Sequence, residues 1–251
     1  MKAKVMKIIA ISFLLMALVT SIFNIVTIKH GYEVNRIKTN QKVVMLTFDD
    51  GPTTDDLAIL DILKTENIHA TFFMTGINLV KYETNEDTKK VVDRIINEGH
   101  TIGNHTYTHD EYLHDQKKLV KELQETNQLI KHVYAQNGVT IAEQDIPVRL
   151  AYLQYFKGID YVQKQVGIKY LVRGYLGTDY NEAQTGKDKI IHQYMSHLSK
   201  GKIFVCHTRS YAKVWLPELI QKLKQKDYKF AAFRDDAGQT DSYKNYGKLV
   251  F

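Results

Sequence analysis

The strongest constraint on this chain is an alternation. Beyond Lys29, short apolar runs take turns with longer amphipathic stretches. The runs are Val43–Phe48, Ala70–Met74, His100–Gly103, Ile146–Leu150, Ile168–Val172, Lys202–Cys206 and Lys229–Phe233. Most are rich in β-branched or aromatic residues, the composition of buried strands. Between them, Asp56–Glu66 repeats Leu57, Leu60 and Leu63 about one turn apart, with Thr54 or Asp55 placed as N-cap. Thr88–Glu98, Asp115–Tyr134, Lys187–Leu198 and Val214–Lys226 carry the same helical spacing. Strand then helix, repeated every ~25–40 residues, predicts parallel βα units. Seven strands suit either an open doubly wound sheet or a barrel. The polar residues favour the barrel. Asp49 and Asp50, His105, Arg149, Asp179 and His207 all fall at or just past the C-terminal end of a predicted strand, and they come from five strands. In a barrel such ends converge on one mouth, whereas an open sheet spreads them along a line.

The N-terminal segment follows different rules. Ile8 to Ile28 is a 21-residue stretch without a charge, about 31 Å long as a helix and matched to a hydrocarbon core of about 30 Å. Lys2, Lys4 and Lys7 precede it, which predicts a cytoplasmic N-terminus and an extracellular remainder. A cleaved signal peptide is the competing reading, but the apolar region is long for one and no A-x-A site follows. The expected product is a single-pass protein of the cell membrane. Its predicted organisation is a stub and anchor over 1–29, a polar tether over 30–41, one α/β domain over 42–235 and an unpatterned tail over 236–251.

The formal net charge of +6 belongs largely to the anchor. Lys2, Lys4, Lys7 and Lys29 flank the span and no acid precedes Glu33, so the remainder carries 30 basic and 28 acidic side chains. That balance excludes a nucleic-acid footprint. Cys206 is the only cysteine, so no intrachain disulfide can form, and its apolar neighbours read as a buried structural thiol.

Two short stretches carry the chemistry. Thr47-Phe48-Asp49-Asp50-Gly51-Pro52 ends a strand with adjacent carboxylates at a turn, and His105-Thr106-Tyr107-Thr108-His109 offers two imidazoles at i, i+4, read as one face of a helical turn. One carboxylate with two imidazoles is a common divalent-metal set that leaves a position open for water. The other carboxylate is then free to act as general base. Arg149 stands where it could pair with a carboxylate and hold it ionised. His207, with an ordinary pKa of about 6.5, suits proton donation, and Asp179 could tune it. Tyr107, Tyr152, Tyr155, Phe156, Tyr175, Tyr180 and Trp215 lie near the predicted mouth.

These stretches resemble the polysaccharide deacetylase family, the NodB-homology group that includes peptidoglycan N-acetylglucosamine and chitin deacetylases. Thr47–Pro52 matches the family's T-F-D-D-G-P and His105–His109 its H-[ST]-x-x-H, within a resemblance over roughly residues 42–235. It implies a distorted (β/α)7 barrel. It also implies Asp49 as catalytic base, Asp50, His105 and His109 as metal ligands, and Arg149 as the brace of Asp49. His207 would be the acid tuned by Asp179, and the Tyr152 backbone N–H a donor to the oxyanion. The implied ion is Zn²⁺, with Co²⁺ or Ni²⁺ as alternatives. The implied partner is an acetylated glycan of the cell envelope, handled by a monomeric metal-dependent hydrolase. Three motifs depart from the pattern. R-x-P-Y becomes Arg149-Leu150-Ala151-Tyr152, D-W becomes Asp179-Tyr180, and L-x-H becomes Val205-Cys206-His207. Each keeps its polar residue and changes a wall residue. Tyr180 thus stands as a substrate-binding wall of altered shape.

Three other functions compete: an O-acetyl esterase on the same scaffold, a catalytically impaired glycan-binding module on a membrane tether, and a glycoside hydrolase. The last needs two carboxylates about 5–9.5 Å apart across a bond. Asp49 and Asp179 could supply them, but the histidine pair would have no task.

Overall fold

The computed structural model describes residues 33–250 apart from 113, 155 and 235–237. The apolar span at 8–28 lies outside the described residues, and no described helix is long and apolar enough to cross a membrane. In chain order the first elements are β1 (Glu33–Val34), β2 (Arg36–Lys38), β3 (Val43–Gly51), α1 (Asp56–Glu66), β4 (Thr71–Met74) and α2 (Gly76–Leu79). There follow α3 (Glu86–Asn97), β5 (Thr101–Asn104), α4 (Gln116–Gln136), α5 (Ile159–Val166), β6 (Leu171–Val172) and β7 (Tyr175–Leu176). The last are α6 (Glu182–Thr185), α7 (Lys187–Ser196), β8 (Lys202–His207), α8 (Ala212–Gln225), β9 (Lys229–Ala231) and β10 (Lys248–Val250).

β3 is the hub. It pairs in parallel with β4, β8 and β9, and β4 pairs in turn with β5. Beyond β5 the ring continues through single parallel bridges, Asn104 to Val148 and Val148 to Leu171. The chain then passes from β6 through Gly174 into β7, which pairs with β8. Gly174 has φ 139°, and a Cβ there would stand 2.8 Å from the Ile203 carbonyl oxygen, so the bend demands glycine. The outcome is a curled, incompletely closed α/β barrel, densely paired around β3, reduced to single bridges between β5 and β6, and without strand pairing between β6 and β7 among the described residues. The run Ile146–Leu150, expected as a strand, contributes only the Val148 bridge. Pro147 within it has no N–H to donate to a ladder.

Period-two alternation sorts the core. Val44, Leu46 and Phe48 of β3 face outward and pack with Leu60 and Leu63 of α1 and Trp215 and Leu219 of α8. Val43 and Met45 face inward, with Phe73 of β4, Val172 of β6 and Ile203 of β8. Cys206 is fully buried in the outer layer, and burial pushes its thiol pKa far up, as expected of a structural residue. The predicted helices occur with ends shifted by a few residues. Asp55 is the N-cap of α1 but makes no side-chain capping bond. The eight-residue α5 had no predicted counterpart.

The folded unit extends past 42–235 on both sides. Within the segment read as a tether, β1 pairs with β6, and β2 pairs with β8 and with β10. The segment read as a tail supplies β10, antiparallel to β2. Strands of two or three residues carry one or two inward side chains, too few to establish a period. In β2 the inward residue is Ile37, fully buried between exposed Arg36 and Lys38. Ile37→Ala is expected to cost about 2–5 kcal/mol of stability, measured by urea unfolding of the α/β domain. A change near zero would restore the tether.

Candidate active site

Along β3, Met45, Thr47 and Asp49 share the inward face, so Asp49 emerges at the mouth. Asp50 should then point away. A register shift against β4 between Asp49 and Gly51 turns it back, and Asp50 takes φ 77°. The turn expected after Phe48 is thus a bulged continuation of β3, and both carboxylates reach the same cleft. Asp tolerates this left-handed conformation better than most residues, and Asn78 Nδ2 secures it by donating to the Asp50 carbonyl at 3.2 Å.

Alternation along β5 likewise brings His105 inward. His105 and His109 do not share a helical turn, which corrects the reading from their spacing. Residues 105–109 form a loop with Thr106 at φ 66° and His109 at φ 62°. The Thr106 N–H donates to Asn104 Oδ1 at 2.9 Å. Glu122 of α4 accepts from the N–H groups of Tyr107 and Thr108 at 3.1 and 2.9 Å, from the Thr108 hydroxyl and from the Tyr112 hydroxyl. Gly76 leaves room for the Tyr107 ring, since a Cβ there would lie 2.2 Å from it. So held, the two imidazole centroids stand 5.0 Å apart.

Arg149 is entirely buried and reaches across the barrel interior. Its Nη1 donates to Asp49 Oδ1 and Thr47 Oγ1, both at 2.7 Å, and its Nη2 to the Arg173 carbonyl at 2.9 Å. The guanidinium lies 4.1 Å from the centroid of the Phe73 ring. Its own carbonyl accepts from His105 Nδ1 at 2.8 Å.

His207 ends β8 on the inward face. Its Nδ1 is 3.1 Å from Asp179 Oδ1, and its backbone N–H donates to Asp179 Oδ2 at 2.6 Å. Burial opposes a charge on His207, but the hydrogen bond and charge of Asp179, aided by the Asp49 and Asp50 carboxylates, outweigh it and raise its pKa. Tyr152 and Tyr180 are exposed at the rim, Tyr152 edge-on to His109 and Tyr180 edge-on to His207. They line a cleft of about 380 Å³ with Asp49, Asp50, His105, His109, His207 and Arg209. Phe156 and Trp215 are buried core residues, and Tyr175 stacks on His197 instead. Tyr155 lies outside the described residues.

Asp50, His105 and His109 each offer one ligand atom, all within 4.8 Å of one another. Asp50 Oδ1 is 3.5 Å from His105 Nε2 and 3.2 Å from His109 Nε2, and it is buried without a hydrogen-bond partner. The Arg149 carbonyl can only accept, so His105 carries its proton on Nδ1. A neutral His105 therefore turns an Nε2 lone pair toward a carboxylate oxygen, an arrangement that a cation between them completes. The donors fit a divalent ion.

Three residues of the site carried no recognised sequence signal. Glu122 could have been found as a charge on the buried stripe of α4, between Leu119 and Leu123. Arg209 donates to Asp50 Oδ2 at 2.7 Å. Asp56, wholly buried, accepts from the Thr53 N–H at 2.8 Å and the Thr208 hydroxyl at 2.7 Å, tying the Asp49–Asp50 turn to the loop after His207. Burial pushes its carboxyl up to about 7.

Glu122→Ala should release the loop and lower the affinity for a divalent ion about 10–100-fold, the usual effect of losing a partner that orients a ligand. Competition with a chromophoric chelator measures this, and an unchanged affinity would mean the loop holds its shape without Glu122.

Comparison with known proteins places these features in a family. Residues 36–171, over half of the chain, match the family model for polysaccharide deacetylases. A peptidoglycan-N-acetylglucosamine deacetylase of Bacillus cereus is 45% identical over 93 residues, 37% of this chain and 30% of that protein. A bifunctional xylanase/deacetylase of Pseudobutyrivibrio xylanivorans is 26% identical over 195 residues, 76% of this chain and again 30% of that protein. The chain thus spans under a third of the length of these two relatives. Among solved structures, the Bc1960 peptidoglycan N-acetylglucosamine deacetylase superposes with a TM-score of 0.70 at 23% identity, over 86% of this chain and 97% of that one, which establishes likeness of fold. The chain belongs to the polysaccharide deacetylase family.

Proposed function

We propose that the protein hydrolyses the N-acetyl group of N-acetylglucosamine units in a cell-envelope polysaccharide, using a divalent ion held by Asp50, His105 and His109. The best match to the donors is Zn²⁺, with Co²⁺ or Ni²⁺ next. Bound there, such an ion would lower the pKa of water and polarise the acetyl carbonyl. Asp49 takes the proton from the attacking water. Arg149 occupies its Oδ1 and leaves Oδ2 for that task. The backbone N–H of Tyr152 serves as a donor to the oxyanion as the carbonyl becomes tetrahedral. His207 then protonates the nitrogen, the C–N bond breaks, and acetate and a glucosamine amine depart. The exposed rings of Tyr152 and Tyr180 flank the cleft as faces for a sugar to stack on.

The observation that carries this reading is the His207–Asp179 pair at the cleft. An amine is a poor leaving group until protonated, and the Asp179 carboxylate, by raising the His207 pKa, favours the protonated imidazole that can supply that proton. An ester needs such a donor less, since alkoxide leaves more readily. The similarity to a protein named xylanase/deacetylase makes an O-acetyl xylan the alternative substrate to test. On this reading the apolar span at 8–28 anchors the domain to the outer face of the cell membrane.

The primary test is acetate release from N-acetylglucosamine oligomers, peptidoglycan and acetyl-xylan, with and without a chelator. The proposal expects release from the amides that ends when the metal is stripped; turnover unaffected by the chelator would refute it. Asp49→Asn should lower kcat at least about 100-fold while zinc content stays constant, because Asp49 binds no ion.

Activity should also show a limb on the alkaline side, where His207 loses its proton. The Asp179 charge raises the His207 pKa, so Asp179→Asn lowers it, and the alkaline limb should move to lower pH. A profile of kcat against pH reads this directly. An unmoved limb would assign the acid role to another group.

A further inference from the structure

We propose that Arg209 is a positioning residue that confines Asp50 to binding the ion through one oxygen. The inference rests on the metal reading given above and goes beyond it. The two oxygens of Asp50 have unlike surroundings. Oδ2 accepts from Arg209 Nη2 at 2.7 Å. Oδ1 is buried, has no hydrogen-bond partner and faces the Nε2 atoms of His105 and His109. A carboxylate with both oxygens free can close on a cation as a bidentate ligand, and a guanidinium on one of them blocks that mode.

Arg209 is itself held in place. Its Nη1 donates to the Thr208 carbonyl at 2.8 Å. Thr208 is anchored twice to the opposite turn, by its N–H to the Asp49 carbonyl at 2.9 Å and by its hydroxyl to Asp56 at 2.7 Å. The Asp50 backbone does not depend on Arg209, because the β3 bulge and Asn78 fix it. Removing the guanidinium therefore frees a single carboxylate oxygen and deletes a positive charge from beside the cation, with the ligand loop left in place. Restricting Asp50 to one oxygen keeps room at the ion for both water and the acetyl oxygen.

The test uses Arg209→Met, which keeps the length of the side chain, and Arg209→Lys, which keeps the charge within reach of Oδ2. Arg209 is partly exposed, and thermal unfolding confirms that each variant folds. Two readouts are independent of activity: zinc affinity by chelator competition, and visible absorption of the Co²⁺-loaded protein, which weakens as the number of donors rises. For Arg209→Met we expect zinc binding about tenfold tighter, from loss of a like charge a few ångströms away, with a shifted and weaker Co²⁺ band and a fall in kcat at little-changed KM. Arg209→Lys should stay near wild type in both readouts. Zinc affinity and Co²⁺ band unchanged in Arg209→Met, weaker zinc binding in it, or a Lys variant that behaves like the Met variant, overturns the inference while leaving the metal reading intact. Wild type that takes up neither ion removes the metal reading and this inference together.

Discussion

The Arg149 guanidinium is the contact on which the site depends. It is a charge with no solvent exposure, opposite an Asp49 carboxylate that is itself nearly buried. Such a pair is a poor source of stability, because desolvating two ions consumes most of what their attraction returns. Its worth is geometric. One residue joins β3 through Thr47 and Asp49, the β6–β7 bend through the Arg173 carbonyl, and the His105 ring through its own carbonyl. Those contacts span the side of the barrel where strand pairing thins to single bridges. A planar fork with several fixed donors can do this, whereas a lysine could satisfy one partner at a time.

Strain is gathered at the same place. Seven non-glycine residues among those described have positive φ, and Asp50, Thr106, His109, Tyr152 and Leu153 of these lie in or beside the cleft. Each such residue costs on the order of 1–3 kcal/mol unless its surroundings enforce it. The enforcing groups are identifiable: Asn78 on the Asp50 carbonyl, Asn104 on the Thr106 N–H, and Glu122 on the two N–H groups between the histidines. The carboxamide of Asn104 also reaches α4, donating to the Leu123 carbonyl and to Asn127. Long-range hydrogen bonds, rather than local propensity, hold the ligand loop in its shape.

That distinction explains what could be read before the structure and what could not. Apolar runs mark strand ends locally, so the placing of Asp49, His105 and His207 at strand ends followed from sequence; their inward direction is seen once β3, β5 and β8 are paired. The i, i+4 spacing of His105 and His109 correctly paired the imidazoles but suggested a helical turn, because nothing within five residues reveals that Glu122, thirteen positions further on, accepts the loop's N–H groups. The direction of Asp50 was equally hidden, since a bulge is a relation between two strands. β2 and β10 escaped notice because three residues with at most one fully buried side chain are indistinguishable from a polar linker until their partners are known. The missed Arg209 stands two residues beyond β8, where no strand period constrains it.

Two adjacent aspartates at one strand end would be expected to behave alike, yet their surroundings divide them. Each gives one oxygen to a guanidinium and presents the other to the cleft. Asp49 is tied through Oδ1 to Arg149 in the barrel interior, and its Oδ2 is 3.7 Å from His105 Nε2. Asp50 is tied through Oδ2 to Arg209 at the rim, and its Oδ1 meets both imidazoles. A third carboxylate, Asp179, is matched with the titratable His207. Three anions close together would drive one another toward protonation if unpaired. Here each has its own cation, one buried and permanent, one at the rim and permanent, one able to lose its proton. The nature of that partner gives three neighbouring carboxylates three distinct environments, on which the proposed division of labour among them rests.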